Sequence, residues 1–378
     1  MTMGITSPTS TTGQILKDGT AVISFDANNN ATFAGTVVSN TPLGMRNRII
    51  NGDMRIDQRN AGASVASPSD TYTLDRFYSR QVGGGVASIQ QSSTAPTGFN
   101  NSLLFTVTTA DSSIVTTDRY YIRQSIEGYN VADLGWGTAS AQTITLSFWV
   151  RSSVTGTFGG SLQNDAVDRT YAFTYSISSA NTWEQKTVTI AGDTSGTWLK
   201  TNGVGLIVQW SLGMGPTYLT TAGSWTAGNY LSATGSTNLI ATNGATFYIT
   251  GVQLEIGTSA TPFERRLYNQ ELANCQRYYQ TYAQPALRGV VVSASAINRA
   301  AMSLPVTMRV APTGTMVGNL PCYDGVTAGT VSSLSATYST ASVIEYDLST
   351  NGGLTAYRPG LIYQSGSSSN YLTLSAEL

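Results

Sequence analysis

Apolar and polar residues alternate with a period of two along most of the chain. Across residues 143–151, Ile144, Leu146, Phe148 and Val150 fall on one face, and Thr145, Ser147, Trp149 and Arg151 on the other. Alternation this regular predicts a half-buried β-strand. Residues 169–177 repeat it with Tyr171, Phe173, Tyr175 and Ile177, and residues 204–212 with Val204, Leu206, Val208, Trp210 and Leu212. Turn-forming residues (Gly156, Asn164 and Asp165, Asn181, Gly192 and Asp193, Gly213 and Gly215) separate these runs. Many short strands at such spacing predict an all-β chain, with a two-sheet sandwich or jelly roll over residues 45–262.

The flanks differ from this middle. Residues 20–26 and 31–38 read as a β-hairpin around the turn at Asn28, Asn29 and Asn30. A lone hairpin is marginal in water, so residues 1–44 are either an arm that packs on a partner or a strand pair folded onto the next domain. Residues 263–282 lack Gly and Pro, and Tyr268, Leu272, Cys275, Tyr279 and Tyr282 recur at spacings of four and three. That pattern predicts a connecting helix, laid on a sheet or meeting its own copies on a symmetry axis. Alternation returns over residues 283–378, first from Met302 to Val310, interrupted by Pro305, and finally at Leu372, Leu374, Ala376 and Leu378. These residues form a separate C-terminal β domain.

Composition narrows the chemistry. The 378 residues include no histidine, which removes Ser-His-Asp and Cys-His catalysis and every histidine-containing metal site. With 20 basic and 21 acidic residues, the near-neutral chain does not suit nucleic acid. No apolar run is long enough to span a membrane, and residues 1–13 lack the regions of a signal peptide. The two cysteines, Cys275 and Cys322, are far apart and read as reduced, packed thiols of a protein folded in a cytosol. Two carboxylate pairs, Asp111 with Asp118 and Asp165 with Asp168, are turn residues first, and no phosphate-binding Gly-Lys pair occurs. The expectation is that the protein is not an enzyme.

Several strings resemble a known family. Asn47 to Met54, Asp57 to Asn60 and Thr73 to Phe77 are similar to the opening of carbohydrate-binding jelly-roll domains of bacteriophage tail proteins. Thr145 to Ser153, Asn181 to Trp183 and Gly192 to Trp198 resemble the middle of such domains. Thr250 to Glu255, Thr261 to Glu264 and Glu271 to Tyr279 resemble the end, and Pro305 to Arg309 a small β domain that often follows. The resemblance implies a homotrimeric tail fibre, a virion protein made in the host cytoplasm. It implies anchoring through residues 1–44 to tail, baseplate or capsid, and attachment to a host cell-surface glycan. The competing readings are a structural or decoration fibre of the capsid or baseplate and a glycan-degrading tailspike. The tailspike reading is disfavoured because no solenoid repeat is present.

Glycan recognition needs flat aromatic faces for C–H stacking and polar or planar charged groups for hydroxyls. Trp149, opposite the apolar face of its strand and two residues from Arg151, is the strand-borne candidate; its alternative is a second buried layer. Trp198 and Trp225 lie in Gly/Thr-rich loops with Tyr218 and Tyr230, where aromatics serve ligands or neighbouring subunits. Trp210 shares the apolar face of its strand and reads as core, as does Trp183. No cofactor is required, but related modules often hold a structural calcium between carboxylates near the first and last strands. Asp53 and Glu255 stand there, although calcium takes about six to eight oxygens.

Overall fold

The computed structural model describes residues 3–6, 13–17, 20–25, 31–33, 45–66, 70–283, 285–363 and 370–378. It divides into two units, residues 1–46 and 47–378. In the first, Met3–Thr6, Gly13–Lys17, Thr20–Phe25 and Ala31–Phe33 form a four-stranded antiparallel sheet in chain order. The expected hairpin is its second half, with Phe25 paired to Ala31. The two earlier strands lack a clear alternation and were not expected.

The second unit begins with the sandwich. Its seven-stranded sheet runs, in spatial order, Trp225–Ala227, Arg169–Ile177, Gly156–Gln163, Val204–Met214, Arg119–Glu127, Phe77–Val82, Thr71–Leu74. The facing six-stranded sheet runs Glu184–Ile190, Ile144–Ser152, Thr246–Ile256, Ser102–Thr109, Val86–Ser92, Val65–Ala66. The apolar faces meet in one core in which Phe148 packs edge-on to Trp210 at 5.7 Å and to Tyr175 at 5.0 Å. Each large apolar side chain fully buried there contributes about 1.5–3 kcal/mol. The all-β class and the sandwich are as the alternation predicts.

Two expectations need correction. The helix is only Tyr268–Gln276; beyond it Tyr279–Tyr282 is a strand, paired to Tyr371–Ser375. The aromatic spacing that suggested continuous helix is split because Tyr278 is pinned by its hydroxyl to Glu127 (2.7 Å), and the residues after it join a three-stranded sheet with Thr313–Val317. Cys275 and Tyr278 pack on Ile50 and Ile56 of the sandwich. The helix therefore lies against its own chain. The alternation from Met302 to Val310 is not one strand either. Ala296–Ser303 stops before Pro305, whose missing N–H cannot serve a ladder.

Residues 288–362 contribute a six-stranded closed barrel with its own core, including Ile297, Val331, Ile344 and Leu348. Polar contacts tie the last residues of the sequence to the sandwich. Glu377 pairs with Arg59 at 2.6 Å and with Arg76, while Tyr72 donates its hydroxyl to the Leu378 carbonyl at 2.6 Å. Arg309 spans the same seam, donating to the carbonyls of Asn202 (2.9 Å), Ala376 (2.8 Å) and Glu377 (2.7 Å). Cys275 and Cys322 are free and buried, and burial raises both thiol pKa values.

Candidate functional site

On the strand Ile144–Ser152, the side chains opposite the core lie on the outer face of the six-stranded sheet. The segment after Gly257 crosses this face. Gln253 donates to the Thr261 carbonyl (3.2 Å) and accepts from the Glu264 N–H (2.7 Å), which fixes the crossing. Beyond it a groove of about 510 Å³ opens, lined by Phe99, Trp149, Gln185, Gly251, Phe263 and Arg265 among others. Phe99 and Phe263 meet edge to face at 5.2 Å, and the Arg265 guanidinium lies over both rings at 4.7 and 5.7 Å.

A β-bulge shapes the floor. The register between Ile144–Ser152 and Thr246–Ile256 shifts between Ser147 and Trp149, leaving Trp149 opposite Thr250. The extra residue is accommodated at Gly251, with φ +60, a conformation that favours glycine. A Cβ there would stand 2.8 Å from the Phe99 ring and 3.0 Å from the Trp149 indole. Glycine at this position is thus what lets both rings approach the backbone. Bulges of this kind recur beside functional sites because they re-aim a side chain. Thr250, fully buried, has no hydrogen-bond partner for its hydroxyl among the described residues.

The aromatic surface continues along the strand. Arg151, two residues or about 7 Å from Trp149, stacks over Tyr248 at 5.0 Å and donates from Nε to the Asn181 carbonyl at 2.9 Å. Trp183 packs edge-on to Tyr248 at 6.0 Å and is half-buried on this outer face rather than in the core, where it was expected. Trp149 and Arg151 therefore lie on one continuous strip, with Gln185 paired directly across from Trp149. Among the described residues, no Asp or Glu lines the groove. Its chemistry is ring faces, amide and hydroxyl groups and one guanidinium.

The other expected contacts lie elsewhere. Trp198 is buried in a three-tryptophan cluster, 4.8 Å from Trp136 and 5.4 Å from Trp225, all edge to face. Each indole N–H is spent on a carbonyl: Trp136 on Gln142, Trp198 on Ser195 and Trp225 on Ala191. Trp198 thus closes the sandwich end rather than offering a face, and Trp225 is half-buried in the same cluster. Tyr218 and Tyr230 belong to the loop that lies over the outer face of the seven-stranded sheet. Tyr218 packs with Tyr121, Met214 and Leu231, and accepts a hydrogen bond from Arg119. Tyr230 is half-buried beside Gly228.

Asp53 and Glu255 do not fit calcium. Asp53 faces Arg55 at 3.3 Å, and burial raises its pKa above the ordinary carboxylate value. Both Glu255 oxygens are occupied by protein donors, from Gln253 (2.8 Å), the Thr261 N–H (2.8 Å) and the Thr261 hydroxyl (2.7 Å). Among the described residues no group of three or more His, Cys, Asp or Glu side chains is placed to hold a metal ion. Of the four turn carboxylates, Asp165 is exposed at its turn and the other three are committed to protein donors. Asp111 accepts from the Tyr120 hydroxyl (2.8 Å), Asp118 from the Val115 N–H (2.7 Å), and Asp168 from the Asn164 amide (2.6 Å).

Phe99, Tyr248, Phe263, Arg265, Gln185 and Gly251 escaped the sequence reading. Gly251 had a detectable signal, a glycine inside a strand pattern, which suggests a bulge or a close approach. The others reach the site through cross-strand register and the path of the 257–267 segment.

No family model matches the sequence, and no curated protein matches it. Solved structures do resemble parts of it. The enzymatically active domain of tailspike protein 4 from Bacteriophage CBA120 matches over 56% of this chain and 21% of its own, at 12% identity and TM-score 0.29. This chain thus spans about a fifth of the length of that domain's chain. A family 11 carbohydrate-binding module from Clostridium thermocellum, in complex with a β-1,3-1,4-mixed-linked tetrasaccharide, matches over 52% of this chain and 98% of its own, at 10% identity and TM-score 0.27. The TmCBM61 module with β-1,4-galactotriose matches over 56% and 99%, at 10% identity and TM-score 0.26. At these values the likenesses carry no argument about ligand or role, so any function is read from the site itself.

Proposed function

We propose that this chain is a glycan-binding protein that holds its ligand without cleaving it. The observation that carries the reading is the Trp149 indole set in an open groove beside Phe99, Phe263, Arg265 and Gln185, with no carboxylate in the lining. Sugar rings present C–H faces that stack on such aromatics, and their hydroxyls suit the amide of Gln185 and the guanidinium of Arg265. A glycosidase needs two carboxyl groups flanking the bond to be cut, and this groove supplies neither. The surface strip toward Arg151, Tyr248 and Trp183 extends it to more than one sugar unit.

The biological setting rests on the sequence strings that resemble phage jelly-roll domains. On that reading the protein is a homotrimeric tail fibre of the virion, joined to tail, baseplate or capsid through residues 1–44, and its ligand is a host surface glycan. Three grooves on one particle would raise the effective affinity of weak individual contacts. A glycan array probed with the full chain tests the binding claim. Binding to a defined set of glycans, lost in Trp149→Ala, supports it; no binding at high glycan density overturns it and favours a purely structural fibre. Release of new reducing ends from a bound glycan would refute the claim of binding without turnover.

A further inference from the structure

The barrel of residues 288–362 carries a second cavity, remote in sequence from the Trp149 groove. It measures about 450 Å³, within the common range for small-ligand sites of about 300–1,000 Å³. Val290, Val292, Asn298, Arg299, Tyr338 and Asp347 line it, with Thr337. Tyr338 is 67% exposed, and Val290 and Val292 are exposed beside it. Half of the exposed large apolar side chains found among the described residues belong to this barrel, six of twelve, namely Val290, Val292, Tyr323, Val326, Tyr338 and Tyr357.

The backbone around the cavity is irregular at one place. Ile297 pairs with Leu348 and Ala300 with Tyr346, so Asn298 and Arg299 both stand opposite Asp347 in a β-bulge. Arg299 has φ +54, a left-handed conformation that a non-glycine residue seldom adopts. Asp347 sustains it by accepting the Arg299 N–H at 2.9 Å. The result is that the Arg299 guanidinium lies over Tyr338 at 5.0 Å, at the edge of the cavity. An outlier held in this way re-aims a side chain at a site.

We propose that this cavity is a second saccharide site, and that it takes a neutral pyranose. Tyr338 supplies the stacking face, and Val290 and Val292 the apolar wall. Asn298, Thr337 and Asp347 supply groups for hydroxyls; an ionised carboxylate has about four acceptor positions, and the Arg299 N–H takes one of Asp347's. Arg299 already faces Glu345 at 3.4 Å, so no uncompensated cation remains for an acidic sugar. The inference does not depend on the Trp149 groove.

The test is saturation-transfer NMR on the full chain with methyl glycosides of glucose, galactose, mannose and N-acetylglucosamine as probes. In the Trp149→Ala variant at least one probe should still bind, and adding Tyr338→Ala should weaken that binding by about tenfold or more, about 1.4 kcal/mol. Tyr338 is exposed, so the substitution leaves folding intact, which a melting curve verifies. Two outcomes overturn the proposal. One is that no probe binds to Trp149→Ala, or that binding there is unchanged by Tyr338→Ala. The other is that light scattering shows Tyr338→Ala dissociating an oligomer, which would make the cavity a contact between copies. Monosaccharide binding by the unaltered chain that disappears in Trp149→Ala would sink this second site and leave the Trp149 groove standing, whereas no array binding by the unaltered chain, with monosaccharide binding retained in Trp149→Ala, would sink the groove and leave this site standing.

Discussion

Glu377 joins the final strand region to the sandwich, and its replacement by Gln has a calculable effect. Its carboxylate is 8% exposed and serves Arg59 at 2.6 Å and Arg76, whose side chain is 1% exposed. Arg76 also donates to the Ser125 carbonyl and stacks on Tyr278 at 3.6 Å, so it cannot swing out to water. Glu377→Gln leaves that guanidinium buried without its counter-charge. Removing one partner of a buried pair costs about 3–5 kcal/mol. Arg59 retains an attractive neighbour in Asp75, which places the expected loss near the lower end, about 3 kcal/mol. All six tryptophans lie between Trp136 and Trp225, so their fluorescence reports unfolding of the sandwich. With a urea m-value of about 3 kcal/mol/M the midpoint should fall by about 1 M. A fall of less than about 0.3 M, under 1 kcal/mol by the same m-value, would refute the buried-pair argument. Replacing Arg76 and Glu377 together by Met should recover much of the loss, because an apolar pair of similar volume removes both buried charges.

Trp198→Ala should destabilise the sandwich by about 3–5 kcal/mol, as expected for a buried tryptophan, whereas half-buried Trp149→Ala should cost far less; thermal melts distinguish the two. Gly251→Ala places a methyl against Phe99 and Trp149 at φ +60, so it should weaken glycan binding on the array in proportion to the displacement of those rings. Asp324 accepts the N–H groups of Thr327 (2.6 Å), Thr355 (2.7 Å) and Val326 (2.9 Å), which hold its carboxyl well below the usual carboxylate range. Its folded pKa is below the unfolded one, so its contribution to barrel stability is complete above about pH 4 and fades as the pH falls further. Hydrogen exchange of the barrel amides at pH 3 and pH 6 should show the loss, and Asp324→Asn should be less stable at pH 6 and less sensitive to acid. Equal acid sensitivity in the variant would contradict this.

The alternations at Ile144, Leu146, Phe148 and Val150, and at Leu372 and Leu374, carried the fold, because period two writes the buried face of a strand directly into sequence. The Tyr268 to Tyr282 spacing misled for a local reason. Aromatics at three- and four-residue intervals suit a helix, but Tyr279–Tyr282 has its strand partner far along the chain, with Tyr279 opposite Ser375 and Tyr282 opposite Leu372, and that pairing is invisible locally. Trp149 was legible as an outward residue opposite an apolar face, and its neighbour Arg151 came with it. Phe99, Phe263 and Arg265 were not, because the groove depends on where the 257–267 segment crosses the sheet. Trp198 shows the converse. A Gly/Thr-rich context suggested an exposed loop, while the ring packs inward on Trp136 and Trp225.

The zero histidine count gains a more specific meaning from the groove, where Arg265 is the one charged lining residue among the described residues. Glycan binding should change little between about pH 6 and pH 8, since histidine, the side chain whose ordinary pKa lies there, is absent from the sequence. Measuring affinity across that range on the array tests this, and a sharp change would point to a titrating group outside the groove.

The most direct measurement is a crystal structure of the chain soaked with an array-positive oligosaccharide. A sugar ring stacked on Trp149, with hydroxyls toward Gln185 and Arg265 and further units toward Arg151 and Tyr248, is the expected result. Density for the sugar on the opposite sheet, near Tyr78 and Arg123, or none on the sandwich at all, would contradict the assignment of this groove.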